Sequence, residues 1–131
     1  MSDTLTADFL TKVKKKIEPR GCWIREQYHE PKQMAHSVKH CYCLVGAMRA
    51  VEAGTYDPSE NRDLEDNLPG IDILADLIRS VGQDDAEVDD GPADTVIRWN
   101  DRKSRTKGQV MALLDAAIER AKTAPAATII A

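Results

Sequence analysis

The amino-acid sequence predicts an all-α fold, with about five helices around a single aliphatic core. Apolar residues recur at helical spacing in several separate stretches of the chain. Only 5% of the residues are aromatic, so the core must consist mainly of Leu, Ile, Val, Ala and Met, which suits helices packed on helices. The length of 131 residues fits one domain. We expect a single helical domain over residues 1–124, followed by a tail over 125–131.

Two helices are predicted in the first half of the chain. The first runs from Ala7 to Ile17, where apolar and lysine side chains fall on opposite faces. The second runs from Ser37 to Ala53 and ends at Gly54, which suits a left-handed C-cap. Its apolar stripe consists of Cys41, Leu44, Val45, Met48 and Val51. Between the two helices, residues 22–28 show no clean periodicity, and we interpret them as a loop in which the aromatic residues could anchor one short extended segment.

Three more helices are predicted in the second half. The third runs from Ile71 to Val81 and is stopped by Gly82. Pro92 suits the first turn of a short fourth helix. The last helix opens at Thr106, because Thr106 and Gln109 form a capping-box pair in which each side chain bonds the other residue's amide. Its apolar face consists of Val110, Leu113, Leu114, Ala117, Ile118 and Ala121.

Charge is unevenly distributed along the chain. Residues 51–100 contain fourteen acidic and three basic residues, whereas residues 1–50 contain nine basic and five acidic ones. Such an acidic middle would be repelled by phosphate, so general nucleic-acid binding is disfavoured. The short lysine cluster at 12–16 is interpreted as the solvated side of the first helix. We expect the acidic stretch 55–94 to be a contact surface for a basic partner.

The localisation is predicted from the hydropathy of the chain and from the spacing of its cysteines. No apolar run approaches the ~20 residues needed to cross a bilayer, and the N-terminus lacks the apolar stretch of a signal peptide. The three cysteines lack the spacing of a disulfide framework, so they are expected to be thiols in a reducing compartment. A cytoplasmic protein without a membrane anchor is predicted.

Two blocks of sequence resemble a known family. The first is Cys43-Leu44-Val45-Gly46-Ala47, and the second is Trp99-Asn100-Asp101, Arg105-Thr106, Val110, Leu113-Leu114-Asp115 and Ala117. Together with an acidic, helix-rich middle they resemble small uncharacterised proteins of actinobacteria and their phages, which share a domain of unknown function. The likeness runs from about Thr6 to Lys122, and this chain departs from it in having Cys22 between Gly21 and Trp23. The resemblance implies a cytoplasmic setting in such a host and no particular activity.

Cysteine and histidine residues crowd into one part of the chain, which raises the hypothesis of a zinc site. They are Cys22, His29, His36, His40, Cys41 and Cys43. Zinc takes four tetrahedral ligands, usually with wider Cys spacing than that of Cys41 and Cys43. On the predicted helix these two thiols point about 200° apart, whereas His36 and His40 lie one turn apart and give half a site. Packed thiols and surface imidazoles are the preferred interpretation, so no metal or cofactor is expected.

The sequence contains residues of the types needed for two further kinds of chemistry. A thiolate–imidazolium pair would need His40 to serve a thiol from elsewhere, such as Cys22, because adjacent residues on a helix point about 100° apart. No catalytic signature surrounds a cysteine, so no catalytic residue is assigned. A magnesium site would draw on acidic side chains between two prolines, and a solvated acidic face is the preferred interpretation. These side chains are Asp57, Glu60, Asp63, Glu65 and Asp66.

The strongest local constellation is Trp99, Asn100, Asp101, Arg105 and Thr106. As a ligand site, the indole would be a platform and Arg105 an anion clamp near a helix N-terminus. As a structural element, Trp99 packs on the last helix, Asn100 or Asp101 closes a bend, and Arg105 pairs with Asp101. The structural interpretation is favoured because it gives every residue a physical task.

The sequence therefore leaves the function unknown and favours one class over another. No phosphate-binding glycine loop, hydrolase Gly-x-Ser-x-Gly or metal-binding His-Glu-x-x-His is present. We expect a small non-enzymatic interaction or accessory protein that binds a protein partner, with a homodimer as one form of such a partner. The alternative is a small enzyme or ligand-binding protein that uses the Cys/His cluster or a polar pocket at 99–106.

Overall fold

The computed structural model describes residues 4–19, 22–25, 29–54, 67–80 and 91–123. Within these ranges the chain forms five helices and one two-stranded antiparallel sheet. The prediction of a mainly helical fold is confirmed, but the all-α class is wrong because of this sheet. The elements are α1 (Thr4–Ile17), β1 (His29–Gln33), β2 (Val38–Tyr42), α2 (Leu44–Ala53), α3 (Ile71–Ser80), α4 (Pro92–Asp101) and α5 (Lys107–Thr123).

Helices α1 and α5 pack against each other along their apolar faces. Leu10, Val13 and Ile17 of α1 are fully buried, as their helical spacing predicts. Helix α1 begins three residues before the predicted start and ends at the predicted residue, Ile17. Lys14 Nζ lies 2.6 Å from Asp115 Oδ1 of α5, and this contact raises the pKa of Lys14. The lysine face of α1 therefore provides one ion pair between the two helices.

The helix predicted from Ser37 to Ala53 is wrong over its first part, where the chain is a β-hairpin. Residues Val38–Tyr42 form β2, which pairs with β1 so that His29 faces Tyr42. The Met34 amide donates to the Ser37 carbonyl at 2.8 Å and closes the turn. Helix α2 begins only at Leu44, after Cys43, which has an extended backbone. Pairing with a neighbouring strand has overridden the helical pattern.

The short extended segment predicted near residues 22–28 is confirmed where the structure describes it. Trp23 forms a parallel bridge with Tyr42, on the side of β2 that faces away from β1. The Tyr42 amide donates to the Cys22 carbonyl at 2.9 Å, and the Ile24 amide donates to the Tyr42 carbonyl at 3.1 Å. Residues 26–28 of the predicted segment lie outside the described residues.

The same hydrogen bonds explain how β1 accommodates Pro31. Tyr42 directs its backbone groups towards the 22–25 segment, so the His29–Tyr42 pair carries no hydrogen bond between β1 and β2. Hydrogen-bonded and non-hydrogen-bonded pairs alternate along an antiparallel ladder. The Pro31–His40 pair lies two positions from the His29–Tyr42 pair, so it is also a non-hydrogen-bonded pair. The backbone nitrogen of Pro31 faces away from β2, so the absence of its N–H removes no hydrogen bond between the two strands.

Two glycines adopt a left-handed backbone. Gly54 has φ +70° and caps α2, and its amide bonds the Ala50 carbonyl at 2.9 Å, as predicted for a C-cap. Gly70 has φ +80° just before α3. A Cβ at Gly70 would lie 2.9 Å from Cδ2 of Leu10, so the chain approaches α1 closely at this point. Helix α3 begins at the predicted Ile71.

The core is one aliphatic cluster to which all five helices contribute. Trp99 joins it with 4% of its surface exposed, and Trp23 packs against it partly buried. None of the helices described is long and apolar enough to cross a bilayer. The predictions for residues 55–66, Val81, Gly82, 83–90 and the tail 125–131 lie outside the described residues.

Candidate functional site

The residues of the 99–106 constellation lie at the junction between α4 and α5. Helix α4 continues through Asp101, so Trp99, Asn100 and Asp101 occupy its last turn. The bend therefore begins at Arg102, one residue after this block. Arg105 and Thr106 close the bend and lead into Lys107, the first residue of α5. The constellation thus consists of one helix end, one short bend and one helix start.

Asn100 is fully buried and connects three parts of the chain. Its Oδ1 accepts the indole N–H of Trp23 at 2.7 Å and the backbone N–H of Leu44 at 3.2 Å. Its Nδ2 donates to the Ile24 carbonyl at 3.2 Å and to Asp101 Oδ1 at 3.1 Å. The amide group thus joins the end of α4 to the 22–25 segment and to the first turn of α2. A buried amide with both ends bonded is stable only in this arrangement of its neighbours.

Arg105 folds back over Trp99. The guanidinium carbon lies 3.9 Å from the centroid of the Trp99 ring, and Nε donates to the Trp99 carbonyl at 2.8 Å. That carbonyl belongs to the last turn of α4, in which carbonyl groups have no amide donor within the helix. Nη1 reaches Gln109 Oε1 at 3.3 Å. Arg105 therefore connects the end of α4 to the first turn of α5.

The electrostatic setting of Arg105 is unfavourable for its charge. Burial lowers the pKa of the Arg105 guanidinium from its usual value, and the positive charge of Arg102 lowers that pKa further. The group still carries its proton at neutral pH, because arginine titrates far above that range. The indole ring compensates in part, since its negative face attracts the cation. Arg105 is thus a cation that the protein largely covers, with 6% of the residue's surface exposed.

The capping box predicted at the start of α5 is confirmed. The Gln109 amide donates to Thr106 Oγ1 at 3.2 Å, and the Thr106 amide donates to Gln109 Oε1 at 3.0 Å. Gln109 Oε1 also accepts from Arg105, so the cap and the Trp99–Arg105 contact share one oxygen. The first turn of α5 is therefore fixed by side chains from the bend itself.

Side chains from elsewhere hold the bend in place. Nη1 of Arg25 donates to the carbonyls of Arg102 and Lys103 at 2.9 and 2.6 Å. Nζ of Lys107 donates to the carbonyl of Pro19, just beyond α1, at 2.9 Å. These bonds give cationic donors to the carbonyls at the C-terminal ends of α4 and α1. Positive charge at a helix C-terminus also interacts favourably with the helix dipole.

The cysteine and histidine candidates lie on and beside the hairpin. His29 Nε2 and His40 Nδ1 are 2.8 Å apart and hydrogen-bonded, and His29 also stacks on Tyr42. His36 lies exposed in the turn before β2, so the helical relationship assumed between His36 and His40 is wrong. The angle of about 200° assumed between Cys41 and Cys43 is wrong for the same reason, because Cys41 is in a strand.

No three His, Cys, Asp or Glu side chains within the described ranges are grouped closely enough to hold a metal ion. Cys43 has a structural task, since its sulfur accepts the Gly46 amide at 3.3 Å and caps α2. The acidic residues considered for magnesium all lie outside the described residues. The hairpin thus contains one histidine pair and the buried thiol of Cys41, and the buried thiol of Cys22 lies in the neighbouring 22–25 segment.

Sequence reasoning missed the distant partners of this site. Trp23, Ile24 and Leu44 bond Asn100 across 56 to 77 residues of sequence, and no local pattern announces such contacts. The capping-box pattern predicts the bond from Gln109 to the Thr106 amide, but it does not predict the bond between Gln109 and Arg105. The histidine pair was hidden because β1 was not predicted.

Comparison with known proteins identifies the family of the chain but gives no activity. No significant match is found among curated proteins or among solved structures. The model of a family of unknown function, DUF6197, matches residues 1–120, which includes every residue of the site just described. The chain therefore belongs to the family of unknown function DUF6197.

Proposed function

We propose that this protein is a small non-enzymatic interaction protein, whose residues 99–106 stabilise the fold and whose acidic stretch 55–94 contacts a basic protein partner. The observation that supports the structural role of residues 99–106 is the burial of Asn100 and Arg105, which are 0% and 6% exposed. A ligand-binding side chain offers polar atoms to its ligand, whereas both ends of the Asn100 amide are bonded within the protein. The alternative of a small enzyme or ligand-binding protein has less support.

The charge of the chain supports the contact surface. The stretch 55–94 contains thirteen acidic and two basic residues, and the rest of the chain contains nine acidic and sixteen basic ones. In its described part, Asp72 and Asp76 lie one turn apart on α3 and are exposed. Asp94 is exposed on α4, which packs against α3. Concentrated charge of one sign steers a partner of the opposite sign and increases its association rate.

The biological setting that we infer is an actinobacterial cell or a phage that infects it, with the protein in the cytoplasm as an accessory factor. The support is the resemblance of the Cys43–Ala47 and Trp99–Ala117 blocks to proteins from these sources. Gene neighbourhood tests this inference: phage structural or regulatory genes beside the coding sequence support it, and an unrelated bacterial lineage contradicts it.

A pull-down with matched baits tests the acidic surface. The first variant neutralises the five acidic residues between Asp84 and Asp90 to Asn or Gln. The matched control neutralises five exposed lysines outside the stretch, at Lys12, Lys15, Lys32, Lys103 and Lys122. From a mycobacterial lysate, we expect one stoichiometric partner on the wild-type and control baits and its loss from the acid-neutralised bait. A partner that binds all three baits equally contradicts the acidic surface.

A second copy of the chain is the alternative protein partner. Light scattering after gel filtration distinguishes the two cases, because the monomer has a mass of 14.5 kDa. A monomeric mass at micromolar concentration favours a different protein as partner. A mass twice that of the chain favours self-association, and its loss at high salt would assign the contact to charge.

A further inference from the structure

Two of the three cysteines lie in neighbouring extended segments. Cys22 precedes Trp23 in the 22–25 segment, and Cys41 precedes Tyr42 in β2. Both are buried, with 3% and 0% of their surface exposed. Among the described residues, the core cluster includes Cys43 but neither Cys22 nor Cys41. These two thiols therefore occupy a separate buried position beside the sheet.

The hydrogen bonds between the two segments fix which residues face each other. The Tyr42 amide bonds the Cys22 carbonyl, and the Tyr42 carbonyl accepts the Ile24 amide, which is the parallel pattern with Trp23 opposite Tyr42. Cys22 and Cys41 each lie one position earlier, so they stand opposite each other. Because side chains alternate along extended chains, both thiols project from the same face.

The separation of these positions suits a disulfide. Neighbouring strands lie about 4.8 Å apart, and the Cα atoms of bridged cysteines are usually about 4.4–6.8 Å apart. The Cys22 thiol is in contact with β2, because its Sγ donates to the His40 carbonyl at 3.4 Å. That carbonyl belongs to the peptide bond between His40 and Cys41. Cys43 lies two positions beyond Cys41, and its sulfur accepts the Gly46 amide at the start of α2. The register of the two segments therefore makes Cys41 the partner of Cys22.

We propose that Cys22 and Cys41 are a redox pair that closes to an intramolecular disulfide in the presence of a low-molecular-weight disulfide. One cysteine thiolate attacks the small disulfide, forms a mixed disulfide and releases one small thiol. The second thiolate then attacks the protein sulfur of the mixed disulfide and releases the other small thiol. The two cysteines lose two protons and two electrons, and the oxidant gains them as two thiols.

Burial determines the order of the two steps. A buried thiol meets an oxidant only when the structure around it opens locally. Cys41 lies inside β2, which pairs with β1 along its length. The 22–25 segment pairs with β2 only around Tyr42. Cys22 therefore reacts first, and Cys41 resolves the mixed disulfide when the segment closes again.

A disulfide map of the full-length protein tests the proposal. Reduced protein is incubated at neutral pH with oxidised glutathione, in native buffer and in urea below the unfolding transition. Remaining thiols are blocked with N-ethylmaleimide before digestion with trypsin, which releases Cys22 in peptide 21–25 and Cys41 in peptide 40–49. We expect these two peptides to be joined, with a mass equal to their sum less two hydrogens plus one N-ethylmaleimide on Cys43, and fragment ions that assign the bridge to Cys41.

The three Cys→Ser variants complete the test, each checked for its fold by circular dichroism. Cys43→Ser is the matched control, because peptide 40–49 also contains Cys43, and it keeps the link. Cys22→Ser and Cys41→Ser lose the link. The proposal is overturned if wild-type protein yields no linked peptide in either buffer, if the link persists in Cys41→Ser, or if the disulfide joins two chains on a non-reducing gel.

Discussion

The indole nitrogen of Trp23 donates a 2.7 Å hydrogen bond to the side-chain oxygen of Asn100, 77 residues further along the chain. The bond connects the segment that follows α1 to the end of α4, and the same oxygen accepts the Leu44 amide at the start of α2. One amide group therefore sets the relative position of three elements. The stability of the fold should depend on this group more than on any exposed polar side chain.

Asn100→Ala tests that dependence. The substitution leaves the Trp23 indole N–H, the Leu44 amide and the Ile24 carbonyl without this partner in a buried site. We expect the free energy of unfolding to fall by about 2–4 kcal/mol, given the cost of unsatisfied buried groups. Urea denaturation followed by tryptophan fluorescence measures the change. Asn67→Ala, at an exposed asparagine, is the control and should change stability little.

Arg105→Ala tests whether the guanidinium stabilises the fold or binds an anion. Loss of the stacking on Trp99 and of the bond to its carbonyl should cost about 2 kcal/mol. Arg105→Lys should recover little of this, since an ammonium group reproduces neither the planar stacking nor the forked donors. Thermal melts with and without inorganic phosphate measure both effects, with exposed Arg120→Ala as control. A phosphate-dependent stabilisation of wild type that Arg105→Ala abolishes would support an anion site.

The capping box should act as a unit. Thr106→Ala removes the acceptor of the Gln109 amide and should destabilise the protein by about 1 kcal/mol, whereas Thr106→Ser retains the hydroxyl and most of the stability. Gln109→Ala removes the reciprocal bond and the contact with Arg105. Chemical denaturation of the two single variants and the double variant measures their coupling. Strict additivity of Thr106→Ala and Gln109→Ala would show that the box contributes no joint stabilisation.

The two left-handed glycines provide a matched pair of substitutions. Gly54→Ala places a Cβ in open space at φ +70°, so its cost is backbone strain of about 1 kcal/mol. Gly70→Ala has the same strain at φ +80° and also brings its Cβ to 2.9 Å from the buried Leu10 side chain. We expect Gly70→Ala to lower the melting temperature clearly more than Gly54→Ala. Equal losses would mean that Leu10 moves aside without cost.

The sequence predicted those elements whose signals are local. The capping box of Thr106 and Gln109, the C-cap at Gly54 and the helical stripes of α1 and α5 each need only neighbouring residues. The hairpin was missed because its turn, Met34–Ser37, contains only Ser37 among the residue types that usually signal a turn, and serine is a weaker signal than Gly, Asn, Asp or Pro. In addition, the stripe from Cys41 to Val51 has helical spacing. Only pairing with β1 and Trp23 makes Val38–Tyr42 a strand, and that pairing is tertiary.

The candidate site was predictable in its members but not in its geometry. Trp99, Asn100 and Arg105 could be grouped because they are close in sequence. Their contacts depend on helix α4 continuing through Asp101 and on Trp23 arriving from a distant segment. A helix end shifts by one or two residues without any clear sequence signal, and the contacts of its last turn shift with it.

The measurement that tests the account most directly is a double-mutant cycle between Trp23→Phe and Asn100→Ala. Trp23→Phe removes the indole donor while it keeps an aromatic ring against the core. If Trp23 and Asn100 hold the fold through their hydrogen bond, the two losses in unfolding free energy should be non-additive by about 1 kcal/mol or more. Losses that add within about 0.3 kcal/mol would show that the bond contributes nothing, and would contradict the structural role given to Asn100.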